Sequence, residues 1–199
     1  MNLVCLDLEG VLVPEIWINV ALATGIEELK LTTRDISDYD VLMRRRLEIL
    51  SQNDLKLPDI QRVIAGMDPL DEAAPFLDTL RSRTQVLLLS DTFTQFARPL
   101  MEKLGYPTLF CNTLVVDPAG RITDYTLRQQ DGKRKAVEAM KSIGFRVIAA
   151  GDSYNDATML QAADAGIFFR APDKIKEEFP HFPCVETHAD LLGEIEKLI

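Results

Sequence analysis

Three apolar runs in this chain end on side chains that can do chemistry, and a lysine stands apart from them. Asp7 and Glu9 close "LVCLDLEG", Ser90 and Asp91 close "QVLLLSD", Asp152 and Ser153 follow "RVIAAG", and Lys133 sits in "DGKRKA". A lone Asp or Ser at a strand-to-helix junction is ordinarily a helix N-cap. That explanation fits Asp7 and Glu9 poorly as a pair, because one acid suffices for a cap and the second adds repulsion. If Asp7, Glu9, Asp152 and Asp156 converge, each close pair of carboxylates costs roughly 4 kcal/mol at an effective dielectric near 20. A hard divalent ion with oxygen ligands, Mg²⁺ before others, offsets that charge, and Lys133 adds to it. Acids, a divalent ion and a lysine together describe a site for a phosphate group.

The elements that must bring these residues together are legible as patterns. Continuous apolar runs at 3–8, 85–91, 146–152 and 165–169 suit strands buried on both faces, hence a parallel sheet covered by helices. Amphipathic stretches at 71–83, 92–105 and 133–144 supply crossover helices, with Gly105 and Gly144 where C-terminal caps belong. The segment 113–127 reads as a β-hairpin flanking the main sheet. Residues 15–70 are helical in pattern, rich in charge and without a buried strand, which predicts a helical insertion into a core made of 1–14 and 71–199. The class is α/β, and in such open sheets ligands bind at the carboxyl ends of strands.

Other residues carry competing readings. Ser153 and Asp156 in "SYND" are spaced like a capping box, without the usual Glu or Gln. Glu15 follows Pro14 and suits a first helical turn, where an acid favours the dipole. Arg44, Arg45 and Arg46 read as a solvated helix face, although at about 100° per residue they cannot all point one way. Lys133 is not a nucleotide-loop lysine, since neither the following Ser or Thr nor the upstream glycine spacing is present.

Composition narrows the field. The chain has 199 residues, 47% of them hydrophobic and 27% charged, which suits one domain carrying an insertion. A net charge of -9 opposes a nucleic-acid role, because phosphate backbones need a basic surface. Cys5, Cys111 and Cys184 are far apart and predict reduced thiols rather than a disulfide framework or a zinc site. No run reaches bilayer-spanning length and none reads as a signal peptide, so a soluble cytoplasmic protein is expected.

At this point the motifs carry a resemblance. "DLEGV" at 7–11, "LLLSDT" with Ser90, Lys133, and "GDSYND" at 151–156 resemble, in order and strand context, the four motifs of the haloacid-dehalogenase-like phosphotransferases. The stretches at 5–17, 32–43 and 146–160 are similar to the phosphoserine phosphatase branch, in particular to its bifunctional members that also pass phosphate to homoserine. The resemblance implies a Rossmann-like core, a small helical cap and a homodimer, with phosphoserine as donor and water or homoserine as acceptor. It implies Asp7 as nucleophile, Glu9 as general acid and base, and Mg²⁺ held by Asp7, residue 9 and Asp152, with residue 9 contributing its backbone carbonyl in relatives that have aspartate there. It further implies Ser90 and Lys133 on the phosphoryl oxygens, Asn155 on the substrate, Asp156 orienting Lys133, Glu15 on the substrate ammonium and Arg46 on its carboxylate. Two positions depart from most of the family and agree with the bifunctional branch: Glu9 in place of aspartate, and Asp91, a further substrate-contact candidate, in place of the glycine that follows the serine. Two alternatives stand beside this reading, a phosphatase for another small phosphomonoester and a receiver-like phosphoacceptor module.

Overall fold

The structure is a computed structural model and describes residues 1–199 except Thr33, Arg34 and Ser37. Part of the resembling stretch at 32–43 therefore lies outside the described residues. A seven-stranded sheet has the order β4-β3-β2-β1-β5-β6-β7. Its strands are β1 (Asn2–Leu6), β2 (Gln85–Phe93), β3 (Leu109–Val116), β4 (Ile122–Thr126), β5 (Arg146–Gly151), β6 (Ala165–Phe169) and β7 (Cys184–Val185). Every pairing is parallel except β3 with β4.

The unbroken apolar runs are explained by burial on both faces. Side chains alternate along each strand. Val4, Leu6, Leu88, Ile148, Ala150, Ile167 and Phe169 therefore enter one apolar cluster, while Leu3, Cys5, Leu87, Leu89, Val147, Ala149 and Phe168 enter a second. On the first face lie α4 (Ala73–Arg83), α5 (Thr94–Lys103) and α9 (His188–Glu196), through residues such as Leu77, Phe96 and Leu191. The second face packs against α6 (Gly132–Ser142), α7 (Tyr154–Ala162) and α8 (Asp173–Glu178) through Val137, Met159 and Ile175. Gly105 and Gly144 do close α5 and α6. The amides of Gly105 and Tyr106 donate to Glu102 and Met101, and those of Gly144 and Phe145 to Lys141 and Met140, the bond pattern of a left-handed helix stop.

Residues 15–70 form α1 (Ile16–Thr24), a 3₁₀ turn at Glu27–Lys30, α2 (Tyr39–Gln52) and α3 (Leu57–Ala65), with no strand among the described residues of that range. The two ends of the segment meet, since Leu70 N–H donates to the Leu12 carbonyl at 2.9 Å. Its apolar residues Trp17, Val20, Met43, Leu50 and Ile64 belong to the same cluster as the first face of the sheet. Phe96 of α5 is fully buried at this junction, edge-on to Trp17 of α1 at 5.5 Å and to Phe93 of β2 at 5.6 Å.

Three features differ from the expectation. β2 runs two residues past Asp91, and its register against β3 shifts between Leu89 and Phe93. Such an irregularity re-aims side chains at the sheet rim, and here it falls on Ser90 and Asp91. The hairpin arm β3 begins at Leu109 and pairs with β2, so the hairpin extends the main sheet instead of flanking it. The two-residue strand β7 is too short to leave a periodic signature, and with α8 and α9 it completes a C-terminal region that the pattern did not resolve.

Cys5, Cys111 and Cys184 carry free thiols, and among the described residues no helix is long and apolar enough to cross a membrane. Phe96→Ala removes the ring that joins α1, α5 and β2 and is expected to cost about 3–5 kcal/mol in urea unfolding. A loss near zero would mean that the insertion and the sheet do not share a core there.

Candidate functional site

β1 is the strand where the connection order reverses, with β2 and β3 to one side and β5, β6 and β7 to the other. The crevice beyond its carboxyl end is where an open α/β sheet takes a ligand. Leu6 is level with Leu88 of β2 and with Ala150 of β5, so Asp7, Ser90 and Asp152 leave three neighbouring strands within a residue or so of one another. A cavity there is lined by Asp7, Glu9, Ser90, Asp91, Lys133, Asp152 and Asn155 from the sheet side and by Glu15 and Arg46 from the insertion. Asp156, fully buried, lies beneath it. All ten residues singled out in the sequence thus come to one place.

Lys133 organises the floor. It enters from the second residue of α6 and pairs with Asp156 Oδ1 at 2.7 Å and Asp7 Oδ2 at 2.9 Å, with Asp91 Oδ2 at 3.8 Å. Leu8 N–H donates to Asp7 Oδ1 at 2.7 Å, so both oxygens of that carboxylate are held. Asp156 fixes the turn into α7 from inside, accepting at Oδ2 from the amides of Asp152 at 3.0 Å and Ser153 at 3.1 Å. The capping-box spacing and the support of Lys133 are therefore two uses of one carboxylate. Ser90 Oγ accepts from Thr92 N–H at 3.2 Å, inside the irregular part of β2.

Charge crowding sets the titration behaviour. Burial pushes the Asp7 carboxyl well above the usual range, with Asp156 and Asp152 adding to the push against Lys133. Burial disfavours the Lys133 ammonium, but Asp156, Asp7 and Asp91 outweigh it and hold the lysine well above its ordinary value. Asp7, Asp152 and Asp156 each offer an oxygen within 4.8 Å of the others, all three buried. This hard-oxygen donor set fits a divalent cation such as Mg²⁺, whose charge would reverse the repulsion felt by Asp7. Asp7 and Asp152 line the cavity whereas Asp156 lies beneath it, so Asp7 and Asp152 are the side chains best disposed to hold it.

Residue 9 is an expected metal contact, by side chain or by backbone, and its carboxylate is outside that oxygen group. The turn after β1 folds back tightly, with Leu12 and Val13 N–H on the Leu8 carbonyl and Gly10 N–H on that of Val13. Glu9 Oε2 then accepts from Ile16 N–H at 2.8 Å, at the first residue of α1, where the helix dipole favours an anion. A metal contact from residue 9 is left to its backbone. Burial and Glu15 push the Glu9 carboxyl up to about 7, against the pull of the Ile16 amide, Arg46 and Lys133.

The insertion contributes a polar end. Glu15 is the N-cap residue of α1, not part of its first turn, and its side chain makes no cap hydrogen bond. Of the three arginines, Arg44 pairs with Asp40 and Asp124 on the surface, Arg45 is exposed and Arg46 is buried in the cavity wall. Arg46 lies over the Trp17 ring at 4.6 Å and donates to the Leu31 carbonyl at 2.8 Å. Its Nε is buried without a hydrogen-bond partner among the described residues, and burial lowers its pKa to about 10 against Glu9, Tyr39 and Glu15.

A family model described as haloacid dehalogenase-like hydrolase matches residues 1–164. The chain belongs to this family. As a haloacid dehalogenase-like hydrolase it is 59% identical over 197 residues to the phosphoserine phosphatase ThrH of Pseudomonas aeruginosa, covering 99% of this chain and 96% of that one. It is 58% identical to a phosphoserine phosphatase of Pseudomonas syringae pv. tomato, over 99% and 83% of the two chains. Among solved structures, an apo phosphoserine phosphatase superposes with a TM-score of 0.77 at 26% identity, covering 94% of each chain. A phospho-aspartyl intermediate analogue of phosphoserine phosphatase superposes with a TM-score of 0.74 at 25% identity, over 94% and 93%. Membership in this hydrolase family sets aside the receiver-like alternative.

Among the cavity residues of this haloacid dehalogenase-like hydrolase that carry no expectation from the sequence are Tyr39 and Trp17. Tyr39, at the start of α2, donates from its hydroxyl to the Asp91 carbonyl at 3.0 Å and lines the cavity. Trp17 supports Arg46. Trp17 is the sole tryptophan of the chain and stands two residues after Glu15, a signal that was available, whereas nothing in the sequence marks Tyr39 as facing the core.

Gly10 has φ +77°, and a Cβ placed there would run into the Asp152 carboxylate. Gly10→Ala should therefore cost about 1–2 kcal/mol in urea unfolding from the left-handed backbone alone. It should also weaken Mg²⁺ binding by at least about ten-fold in calorimetry, since Asp152 must move. Unchanged Mg²⁺ affinity would remove Asp152 from the metal site.

Proposed function

We propose that this protein is a Mg²⁺-dependent phosphoserine phosphatase that works through an aspartyl-phosphate on Asp7, and that it also transfers the phosphoryl group to homoserine. The observation that carries the reading is one cavity with two kinds of lining: Asp7, Ser90 and Lys133 from the sheet side, Glu15 and Arg46 from the insertion. A phosphate monoester bearing an ammonium and a carboxylate matches both at once. The unpartnered Nε of buried Arg46 supports a ligand carboxylate there, for which a guanidinium fork suits better than an ammonium. The names of the two relatives at 59% and 58% identity point the same way.

In this reading residues 15–70 act as the cap that chooses the substrate. Lys133 and the Leu8 amide hold the Asp7 carboxylate in one orientation for in-line attack on phosphorus. Lys133 and Ser90 bind the phosphoryl oxygens, the interaction that dominates stabilisation of this transition state. Glu9, with a pKa near neutrality, gives its proton to the departing serine oxygen and recovers one from the incoming hydroxyl. Bound by Asp7 and Asp152, Mg²⁺ would neutralise local negative charge and polarise a phosphoryl oxygen. Asn155 contacts the substrate at the mouth, and Asp156 keeps Lys133 in place. Transfer to homoserine must outcompete water at roughly 55 M, which requires an acceptor oriented by the same Glu15 and Arg46. A homodimer in the cytoplasm belongs to the same proposal.

Incubation with phosphoserine and Mg²⁺, with and without homoserine, tests this directly by following phosphate and phosphohomoserine together. Release of phosphate from phosphoserine is expected, with phosphohomoserine appearing at its expense when homoserine is added. No release from phosphoserine, alongside turnover of another small phosphomonoester, would replace the substrate assignment. Arg46→Lys should raise KM for phosphoserine by about ten-fold or more with a smaller change in kcat, while turnover of p-nitrophenyl phosphate, which lacks the amino-acid end, stays the same. An equal effect on both substrates would place Arg46 outside substrate recognition.

A further inference from the structure

Asp91 stands in an unusual position for an anion. Its Oδ2 lies 3.8 Å from Lys133 Nζ, on a side chain 43% exposed, whereas the other two carboxylates on that lysine, Asp7 and Asp156, are buried. The backbone of Asp91 is pinned, its carbonyl accepting from Tyr39 Oη at 3.0 Å and from Asn112 Nδ2 at 3.1 Å. Besides the ion pair with Lys133, the carboxylate accepts a hydrogen bond from Asn155, whose Nδ2 donates to Oδ2 at 2.9 Å. It forms part of the wall between the catalytic cavity and a second one of about 410 Å³, and Tyr39, Lys133 and Asn155 line both as well.

A phosphate dianion that pairs with Lys133 must therefore sit within the field of Asp91. Like charges a few ångströms apart near a surface repel strongly. We propose that Asp91 weakens the hold of Lys133 on free phosphate and so promotes release of that product. The inference rests on the phosphatase reading above and deepens it. A phosphomonoester amino acid recovers binding through Glu15 and Arg46 on the insertion side of the cavity; inorganic phosphate, with nothing to offer there, does not. After the second half of the reaction the product is held by the phosphoryl-binding groups alone, and the carboxylate beside Lys133 opposes its retention. The second cavity gives the side chain room to turn aside when a substrate arrives.

The test titrates inorganic phosphate into the Mg²⁺-loaded protein by calorimetry and measures phosphate inhibition of phosphoserine turnover, for wild type, Asp91→Asn and Asp91→Gly. Asn keeps an oxygen acceptor for Asn155 and removes the charge; Gly removes both. Binding about ten-fold tighter in both variants at low salt is expected, with the gap to wild type narrowing as potassium chloride is added. A purely structural role would not follow ionic strength. Asp91→Asn within about two-fold of wild type at low salt would overturn the proposal, as would tighter binding in the Gly variant alone, which would assign Asp91 to orienting Asn155. Failure of wild type and variants alike to bind phosphate overturns it too. Wild type that binds phosphate but leaves phosphoserine intact would refute the substrate reading while the comparison of affinities still decides the role of Asp91.

Discussion

One buried lysine surrounded by carboxylates is the constraint on which the rest of this structure depends. Lys133 is nearly inaccessible and is paired within 3 Å to Asp7 and Asp156. Removing any of these charges from water costs several kcal/mol, and the cost is tolerable only where geometry is good and the remaining valences are filled. The chain meets that condition with backbone: the Leu8 amide on Asp7, and the Asp152 and Ser153 amides on Asp156. Negative charge still exceeds positive, and a divalent cation held by Asp7 and Asp152, as proposed, would settle the difference. In the proposed reading the site is thus held ready for a metal and a phosphate by interactions that would be unfavourable without them.

That constraint explains why the surrounding fold is rigid where it is. The three strands that deliver Asp7, Ser90 and Asp152 are the central ones of the sheet, apolar on both faces and covered on both by helices. The inserted helices share the core of one face, and so Glu15 and Arg46 are positioned by the same packing that fixes the catalytic floor. Trp17 serves both parts of this arrangement, meeting Phe96 edge-on in the core and carrying Arg46 on its ring. Glu9 feels the charges of Glu15, Arg46 and Lys133 together, which suits the proposed role of a group that protonates a leaving oxygen.

The sheet and the convergence of the acids could be read from the chain because both rest on strong local signals. Long apolar runs cannot be solvated, and acids at their ends need a common explanation. The features that could not be read depend on partners distant in sequence. The irregularity in β2 that falls on Ser90 and Asp91 exists only against β3, and the burial of Arg46 beside exposed Arg44 and Arg45 is decided by Trp17 and Leu31. Glu9 is the instructive case: its spacing from Asp7 suggests a shared metal, while the tight turn at Gly10 sends its carboxylate to the start of α1. Periodicity carries no information about such turns, and a two-residue strand such as β7 has no period at all.

The central claim is that Asp7 becomes phosphorylated. Rapid acid quenching of the protein during turnover of phosphoserine, followed by mass spectrometry of the peptide that contains residue 7, tests it most directly. The account predicts one phosphoryl group on Asp7, labile to hydroxylamine as an acyl phosphate must be and absent when Asp7 is replaced by Asn. Turnover with no such adduct at any quench time, or an adduct on another residue, would contradict it.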